Sequence, residues 1–267
     1  GVVYESVTQI LHHYIPEFDK EFWMFYKVLQ DKLGFPDDEF GKKAYAKYLI
    51  QSHGFNFKNK TLEELQSISD GLGFGVELED AYKKAEWKKK NDDSLIRGTK
   101  FHEDIEKKRL AQKTKILECG NTVHYYSYNK GLENTEFGKN KIEGIPELRL
   151  YNHKYKIAGT TDDPVFYPTK LVDINDWKSN RVIKLKNAWE KMLHPLNHLD
   201  NSNFNHYNMQ LSLYGWMLEQ FGYEVRNLSI THILFDEAGN PIGKIPYPMK
   251  YLKKEVEALL EHYANNH

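Results

Sequence analysis

The stretch that decides the fold runs over residues 158–179, AGTTDDPVFYPTKLVDINDWKS. It joins two strand-like runs, KYKIAGTTDDPVFY and KLVDINDWKS, at residues 168–169, where proline favours a turn. An antiparallel hairpin about that turn places Asp162 opposite Asp176, with their Cβ atoms roughly 4.5 to 5.5 Å apart. Side chains alternate along a strand, so Lys178, two residues after Asp176, shares the same face.

Two opposed carboxylates repel each other, whereas a hard divalent cation such as Mg²⁺ binds through carboxylate oxygens and water. The hairpin therefore predicts a metal site with a lysine beside it. Two alternatives stay open. With 28% charged residues, the chain could place Asp-Trp-Lys at the solvated end of a strand. A bulge around Ile174 and Asn175 could instead pair Asp173 with Asp162.

Composition limits the classes of protein that the chain can represent. Its 267 residues suit one large domain, or one domain with a helical elaboration. The net charge of −1 gives no global basic field, so nucleic acid would have to bind local patches. The single cysteine, Cys119, excludes an intramolecular disulfide framework and a cysteine-rich metal site. Without an apolar run of about 20 residues or a signal-peptide pattern, we expect a soluble, intracellular protein.

Helical patterns dominate the first hundred residues. Ser6 is a plausible N-cap, Pro16 interrupts, and a second helix is predicted over residues 19–33. Thr61 and Glu64 fit a capping box. A dense basic run then follows, and such a run is either a solvated helix face or a binding surface. Its members are Lys83, Lys84, Lys88, Lys89 and Lys90, followed by Arg97 and Lys100.

This basic run leads into His102, which shares a helix side with Glu106 because the two lie four residues apart. Gly98 and Thr99 are predicted to start that helix, which would place His102 in its first turn. A histidine on a helix is often a packed core residue. Beside a carboxylate hairpin, however, a neutral imidazole is a credible third metal ligand.

Other candidate residues surround the hairpin in sequence. Glu147 is predicted inside a strand, IPELRLYN, where its carboxylate either pairs with Arg149 or approaches the metal. Downstream, Arg181, Lys184 and Lys186 form a second basic cluster. A helix containing NMQLSLYGWMLEQFG is apolar nearly all the way round and is predicted to be buried against the sheet. A last strand, VRNLSITHILFD, and a C-terminal helix over residues 249–263 complete the chain.

On that helix, Gln210 and Tyr214 lie at positions i and i+4, so both polar tips could emerge near the site. The motifs RGTKFHEDIE, GTTD, DWKS and QLSLY, in that order, resemble those of the PD-(D/E)XK nuclease superfamily. The RecB-like branch is the most similar, and within it the mitochondrial genome maintenance exonuclease family with its phage and bacterial relatives. The opening SVTQIL is also similar, while residues 35–90 match only as a helical insert.

The resemblance implies an α/β fold, in which a small mixed central sheet is flanked by helices in the restriction-endonuclease-like arrangement. Residues 1–96 would form an N-terminal helical region that caps the active site, and residues 97–267 the nuclease core. It further implies a metal-dependent deoxyribonuclease, most similar to exonucleases that act on single strands or DNA ends in replication, repair or recombination. A catalytically inactive DNA-binding accessory and a structure-specific endonuclease are the alternatives.

Carried over residue by residue, the resemblance implies one or two Mg²⁺ or Mn²⁺ ions. No iron–sulfur cluster is expected, because one cysteine cannot hold one. The implied ligands are His102, Asp162, Asp176 and the main-chain carbonyl of Trp177, with Glu147 as a secondary candidate. Lys178 would be the catalytic lysine. The implied DNA-binding residues are Gln210 and Tyr214, joined by the basic residues Arg97, Lys88, Lys100, Arg181 and Lys184. The second aspartate, Asp163, and Ser179 in place of threonine depart from the family pattern.

Overall fold

The structure is a computed structural model. It describes residues 3–19, 60–73, 87–130, 135–188, 190–236 and 238–266, together with residues 21, 23–25, 28, 32, 75, 77, 78 and 132. The side chains of residues 87–94 lie outside this description. The predicted helix over residues 19–33 and the lysines at 83 and 84 therefore lie partly or wholly outside the described residues.

The chain has a mixed α/β fold built on two sheets. The strands are β1 (Glu5–Ser6), β2 (Thr114–Ile116), β3 (Thr122–Tyr125), β4 (Ile142–Gly144), β5 (Leu148–Asn152), β6 (Ile157–Thr161), β7 (Asp163–Phe166), β8 (Leu171–Lys178), β9 (Glu224–Phe235) and β10 (Pro241–Met249). The smaller sheet has the order β1-β6-β5, and the larger has the order β10-β9-β8-β7-β4-β3-β2. Parallel pairs (β1–β6, β3–β4 and β8–β9) occur alongside antiparallel ones, so the sheet is mixed as predicted.

The described helices are α1 (Val7–His12), α2 (Leu62–Gly71), α3 (Trp87–Gln112), α4 (Asn203–Glu219) and α5 (Lys253–Asn266). None of the described helices is both long and apolar enough to cross a membrane. The chain divides into two compact units, one of residues 1–16 with 94–267 and the other of residues 17–93. In the second unit, α2 begins with the capping box of Thr61 and Glu64 that the sequence predicts.

The central hairpin has the predicted register. β7 pairs with β8 so that Asp163 faces Asn175 and Val165 faces Asp173. This register rules out the alternative bulge, which would have moved Asp173 opposite Asp162. The turn at residues 168–169 is closed by hydrogen bonds between Tyr167 and the residues that follow the turn.

The predicted long strand before this turn is broken at Asp162. Residues 157–161 form β6 in the smaller sheet, whereas residues 163–166 form β7 in the larger one. The chain changes sheets at Asp162, which therefore belongs to neither strand. Alternation alone could not indicate this change, because the residues on both sides keep a strand-like pattern.

Helix α4 connects the parallel strands β8 and β9, as such a crossover requires. It buries most of its length in the core, as its apolar sequence predicts. Helix α1 joins the same core through Val7, Ile10 and Leu11, and its N-cap Ser6 makes the predicted capping interaction. The apolar core thus fixes β6, β8 and α4 around one point, which is where the candidate site lies.

One predicted boundary is wrong, and one strand was missed. Helix α3 does not begin at Gly98 and Thr99 but runs from Trp87 to Gln112, so His102 lies in its middle. Strand β10 was not predicted at all, because its prolines oppose strand formation by propensity. Among the described strands, β10 pairs with β9 alone, so it lies at the edge of the larger sheet, where proline is tolerated.

Candidate metal centre

His102 projects from the middle of α3 toward two carboxylates on the sheet side. Its Nδ1 lies 3.3 Å from Asp162 Oδ2 and 3.8 Å from Glu147 Oε1. Suitable ligand atoms of these three residues all lie within 4.8 Å of one another, so the group could hold a metal ion. The side chains of His102 and Glu147 are 29% and 33% exposed, and that of Asp162 is 9% exposed, so the group is open to solvent on one side.

The sheet change holds Asp162 and Glu147 in place. Asp162 Oδ2 accepts a hydrogen bond of 2.8 Å from the Trp177 amide on β8, and the Asp162 carbonyl accepts one of 3.0 Å from the Glu147 amide. The sequence predicts Glu147 inside a strand, but in the structure it precedes β5. Its φ is +55°. A side chain in this left-handed region costs about 1–2 kcal/mol, and such strain is concentrated at functional sites.

Electrostatics favour positive charge at this point. Burial lowers the pKa of His102, but hydrogen bonds to Asp162 and Glu147 outweigh it and raise that pKa to about 10. A bound divalent cation would replace this proton and offset the charge of the two carboxylates in its place, because metal binding displaces protons from its ligands. Carboxylates suit Mg²⁺ and Mn²⁺, and imidazole also suits transition metals. The donor set of one imidazole and two carboxylates therefore fits a divalent ion, though it does not select one.

The other ring nitrogen of His102 has a partner of its own. Nε2 lies 3.1 Å from the main-chain carbonyl oxygen of Trp177. With Nδ1 directed at the carboxylates, Nε2–H can donate to this carbonyl. A histidine that binds metal is commonly oriented in this way by a backbone carbonyl. The Trp177 carbonyl thus orients His102. Direct binding of this carbonyl to the ion stays a prediction.

Asp176 lies outside this three-residue group and is paired with Lys178. Lys178 Nζ is 2.7 Å from Asp176 Oδ2, and Asp176 is 2% exposed. Burial and the negative charge of Asp162 raise the pKa of Asp176 to about 6, against the opposing effects of Lys178 and His102. Burial lowers the pKa of Lys178, but Asp176 and Asp162 outweigh it, so the net shift is upward. Lys178 is therefore a cation and a hydrogen-bond donor.

Helix α4 positions Lys178 from the other side. The Lys178 ammonium donates to Gln210 Oε1 at 3.1 Å, and Gln210 Nε2 donates to the Tyr214 hydroxyl at 3.1 Å. The predicted pair, Gln210 and Tyr214, thus forms a chain of hydrogen bonds that ends at Lys178. Tyr207, which we did not predict, places its ring 4.4 Å from Lys178 Nζ. Its position three residues before Gln210 on the same helix was the signal that could have identified it.

The glycine of the GTTD segment has a packing role in this chain of contacts. A Cβ at Gly159 would lie 2.7 Å from a ring carbon of Tyr214 and 3.2 Å from Val7. Only glycine lets β6 approach the tyrosine ring this closely. Gly98 on α3 is similar, since a Cβ there would lie 2.9 Å from Ser179 Oγ.

The metal group opens into a cleft of about 590 Å³ along one side of α3. Its lining includes His102, Glu147, Arg149 and Tyr128, so acidic, basic and aromatic groups meet there. Glu106, which shares a helix side with His102 as predicted, also lines this cleft. A ligand lying in the cleft would therefore reach the metal group directly.

The predicted basic residues do not all face this cleft. Arg97 and Lys100 line a second groove on the other side of α3, and Arg181 and Lys184 are exposed after β8. Lys88 lies within α3, but its side chain is outside the described residues.

Asp163, the additional aspartate, points away from the metal group. Arg109 on α3 donates to its Oδ2 at 3.1 Å, and the two side chains are 7% and 13% exposed. Burial raises the pKa of Asp163 despite the charge of Arg109. The adjacent aspartates thus have different partners, because the chain changes sheets between β6 and β7.

Comparison with known proteins gives little further information. No protein-family model matches the chain, and no curated protein matches it. Among solved structures, it is similar to the crystal structure of a "Putative exonuclease" from Eubacterium rectale, with 11% sequence identity and a TM-score of 0.32. The match covers 98% of this chain and 78% of that chain. A TM-score this low supports no functional argument, which must come from the site itself.

Proposed function

We propose that this chain is a metal-dependent nuclease that hydrolyses phosphodiester bonds in DNA. The observation that carries the proposal is the convergence of His102, Asp162 and Glu147 next to the buried pair of Asp176 and Lys178. Three ligand groups, two of which line an open cleft, together with a buried carboxylate and a fixed ammonium are the components that phosphodiester hydrolysis needs. The order of the sequence motifs, which resembles that of PD-(D/E)XK nucleases, supports the same reaction.

His102, Asp162 and Glu147 would hold the ion, with Asp176 as a further ligand. Asp176 Oδ2 is buried and has no hydrogen-bond partner among the described residues, apart from its ion-pair contact with Lys178. A buried carboxylate oxygen in this condition is suited to a cation. When bound, a divalent ion supplies Lewis-acid stabilisation of the phosphate and lowers the pKa of its bound water.

The protein side chains supply positioning and charge. The water oxygen forms a bond to phosphorus while the ester oxygen leaves; the water loses one proton, and the leaving oxygen gains one. Lys178, held by Asp176 and Gln210, would orient the attacking water and offset the negative charge that develops on the phosphate. Because its ammonium is paired with Asp176 and donates to Gln210, Lys178 would act by donating hydrogen bonds and not by removing the proton.

The finer assignment is an exonuclease that acts on single strands or free ends, with Mg²⁺ or Mn²⁺ as the ion and the N-terminal helical region as a cap, apart from residues 1–16, which belong to the core unit. It rests on the resemblance to the RecB-like branch. An endonuclease and an inactive DNA-binding accessory would differ from it in their products, so one experiment separates all three.

The test is digestion of end-labelled linear DNA and of closed circular single-stranded DNA, with Mg²⁺, with Mn²⁺ and with a chelator. We expect metal-dependent release of nucleotides from the linear substrate and none from the circle. Cutting of the circle would identify an endonuclease. Lys178→Ala and Asp176→Ala should each lose at least about 100-fold in rate, by analogy with loss of one preorganised charge donor.

Exposed Lys254 on α5, changed to alanine, is the matched control and should keep full activity. Circular dichroism should show that all variants are folded. Substantial cleavage by both active-site variants, or none by the wild type with any divalent ion, would reject the proposed function.

A further inference from the structure

The groove on the other side of α3 has features that the metal centre does not use. It has a volume of about 540 Å³ and lies between α3 and the hairpin of β9 and β10. α3 residues 97, 100, 101, 104, 105, 108 and 109 line this groove, whereas residues 95, 98, 99, 102, 103 and 106 line the metal cleft. With 3.6 residues per turn, these sets occupy two different faces of one helix.

Positive charge predominates in this groove. Lys100, Lys108 and Lys244 line it and are exposed, and none of them forms an ion pair among the described residues. Asp104 is the acidic residue in its lining. Nearby, burial lowers the pKa of Lys115, and the positive charges of Arg109 and Lys244 add to that effect. The groove therefore has a positive field that favours an anion.

Aromatic rings lie between these charges. Phe101, Trp177 and Phe235 line the groove, and the Phe101 ring packs edge to face against each of the other two. The Arg97 guanidinium lies 5.2 Å from the centre of the Phe235 ring. Rings interleaved with basic side chains are typical of surfaces that bind single-stranded nucleic acid, where bases stack and phosphates are neutralised.

Three buried donors of groove-lining residues also lack acceptors. Trp177 Nε1, Arg97 Nε and Arg109 Nε are buried and have no hydrogen-bond partner among the residues that the structure describes. Buried polar atoms are rarely left without a partner, so these three donors are an independent indication that a ligand rich in acceptors belongs here. Phosphate and base oxygens are such acceptors.

We propose that this groove binds single-stranded nucleic acid as a second site, separate from the metal cleft. The inference deepens the proposed function, because a strand held in the groove could extend around α3 into the cleft. A helix with side chains is about 10–12 Å across. Half of its circumference is about 16–19 Å, so at about 3.4 Å per nucleotide roughly five nucleotides would pass around it. A long strand can therefore reach both sites, whereas a very short one can occupy only one of them.

The test measures binding without catalysis. Fluorescence anisotropy of labelled single strands of 4 and 20 nucleotides, in a chelator and at several salt concentrations, gives affinity whether or not the protein cleaves. The variant is the charge reversal of the three free groove lysines, Lys100→Glu, Lys108→Glu and Lys244→Glu. The matched control reverses Lys139, Lys250 and Lys254, which are exposed and line neither groove nor cleft.

Each lost phosphate contact lowers the slope of log affinity against log salt by about 0.7, so three contacts lower it by about 2. At 0.1 M salt this corresponds to about 100-fold weaker binding of the 20-mer. The 4-mer can occupy only one site, so it should bind the wild type more weakly than the 20-mer. The control reversal has the same net charge, so it should reproduce only the general effect of charge, within a few-fold of wild type.

Phe235→Leu distinguishes a nucleic acid, whose bases can stack on the ring, from an acidic polypeptide, which has no bases. Loss of one stacking ring should weaken the 20-mer about fivefold or more while leaving a poly-glutamate peptide of equal charge unaffected. Equal losses in the groove and control variants would overturn the proposal. Poly-glutamate binding as tight as that of the 20-mer would also overturn it and would indicate an acidic protein partner. Salt-dependent binding without cleavage would retain the groove and reject the nuclease.

Discussion

Glu147 has a strained backbone conformation and is also a candidate metal ligand. Replacing it by glycine and by alanine should show the effect of the strain on stability separately from the loss of metal binding. Its φ of +55° costs a side-chain-bearing residue about 1–2 kcal/mol, which glycine does not incur. Glycine also gains about 0.4–1 kcal/mol of unfolded-state entropy relative to alanine, which opposes this benefit. Glu147→Gly should therefore be more stable than Glu147→Ala by up to about 1.5 kcal/mol, although both lack the carboxylate.

The two variants should respond to metal in the same way. In the wild type, an ion at 100 times its Kd stabilises the folded state by about 2.7 kcal/mol. Changing a partner of a metal ligand commonly costs 10–100-fold in affinity, and loss of a ligand should cost at least as much. The stabilisation then falls to about 1.4 kcal/mol for a tenfold loss and about 0.4 kcal/mol for a hundredfold loss.

Thermal unfolding with and without Mn²⁺ measures both effects. At about 2–4 °C per kcal/mol, the wild type should gain about 5–11 °C on adding the ion, and each variant at most half of that. In a chelator, Glu147→Gly should melt above Glu147→Ala. If the alanine variant melts higher, the strain argument fails. If either variant keeps the full metal-induced shift, Glu147 is not a ligand.

Three further predictions concern the supporting residues. Gly159→Ala should reduce the free energy of unfolding by about 1–3 kcal/mol through contact with Tyr214, measured by urea denaturation; a neutral substitution would contradict this. Arg109→Met leaves Asp163 buried without its partner and should cost about 3–5 kcal/mol at neutral pH. Because burial raises the pKa of that acid, the folded state binds more protons than the unfolded state, so this loss should shrink as the pH is lowered; a constant loss would refute it. Tyr207→Leu should lower kcat about 2- to 30-fold by removing the ring beside the lysine ammonium, with KM unchanged, whereas the phenylalanine variant should retain activity; equal kcat losses in both variants would exclude a role for the ring.

The local register of the site was predictable from the sequence. A hairpin symmetric about the turn at 168–169 pairs residues equally far from the turn, and the structure pairs β7 with β8 in this way. The two-residue period then places Asp162, Asp176 and Lys178 on one face. These relations depend on residues close in the chain, so spacing and turn chemistry are sufficient to predict them.

The neighbours of these residues were less predictable. Glu147 was an undecided candidate because its contact with His102 joins the turn before β5 to α3, two segments that no local pattern relates. The role of Tyr207 as a cation–π partner depends on how α4 packs against β8. Arg97 and Lys100 belong to the same basic run as Lys88, but the helix directs them into a different groove from the one that contains His102.

The sequence by itself determined the hairpin, the capping of α1 and α2, and the order of motifs that resembles a nuclease, because each follows from short-range periodicity or turn chemistry. Only the tertiary structure decided that the chain changes sheets at Asp162, that α3 continues past Gly98, and that Glu147 completes the group with His102. The physical reason is that these features depend on packing between distant segments: β6 and β7 pair with different partners, and Gly98 admits Ser179 only where α3 meets the end of β8.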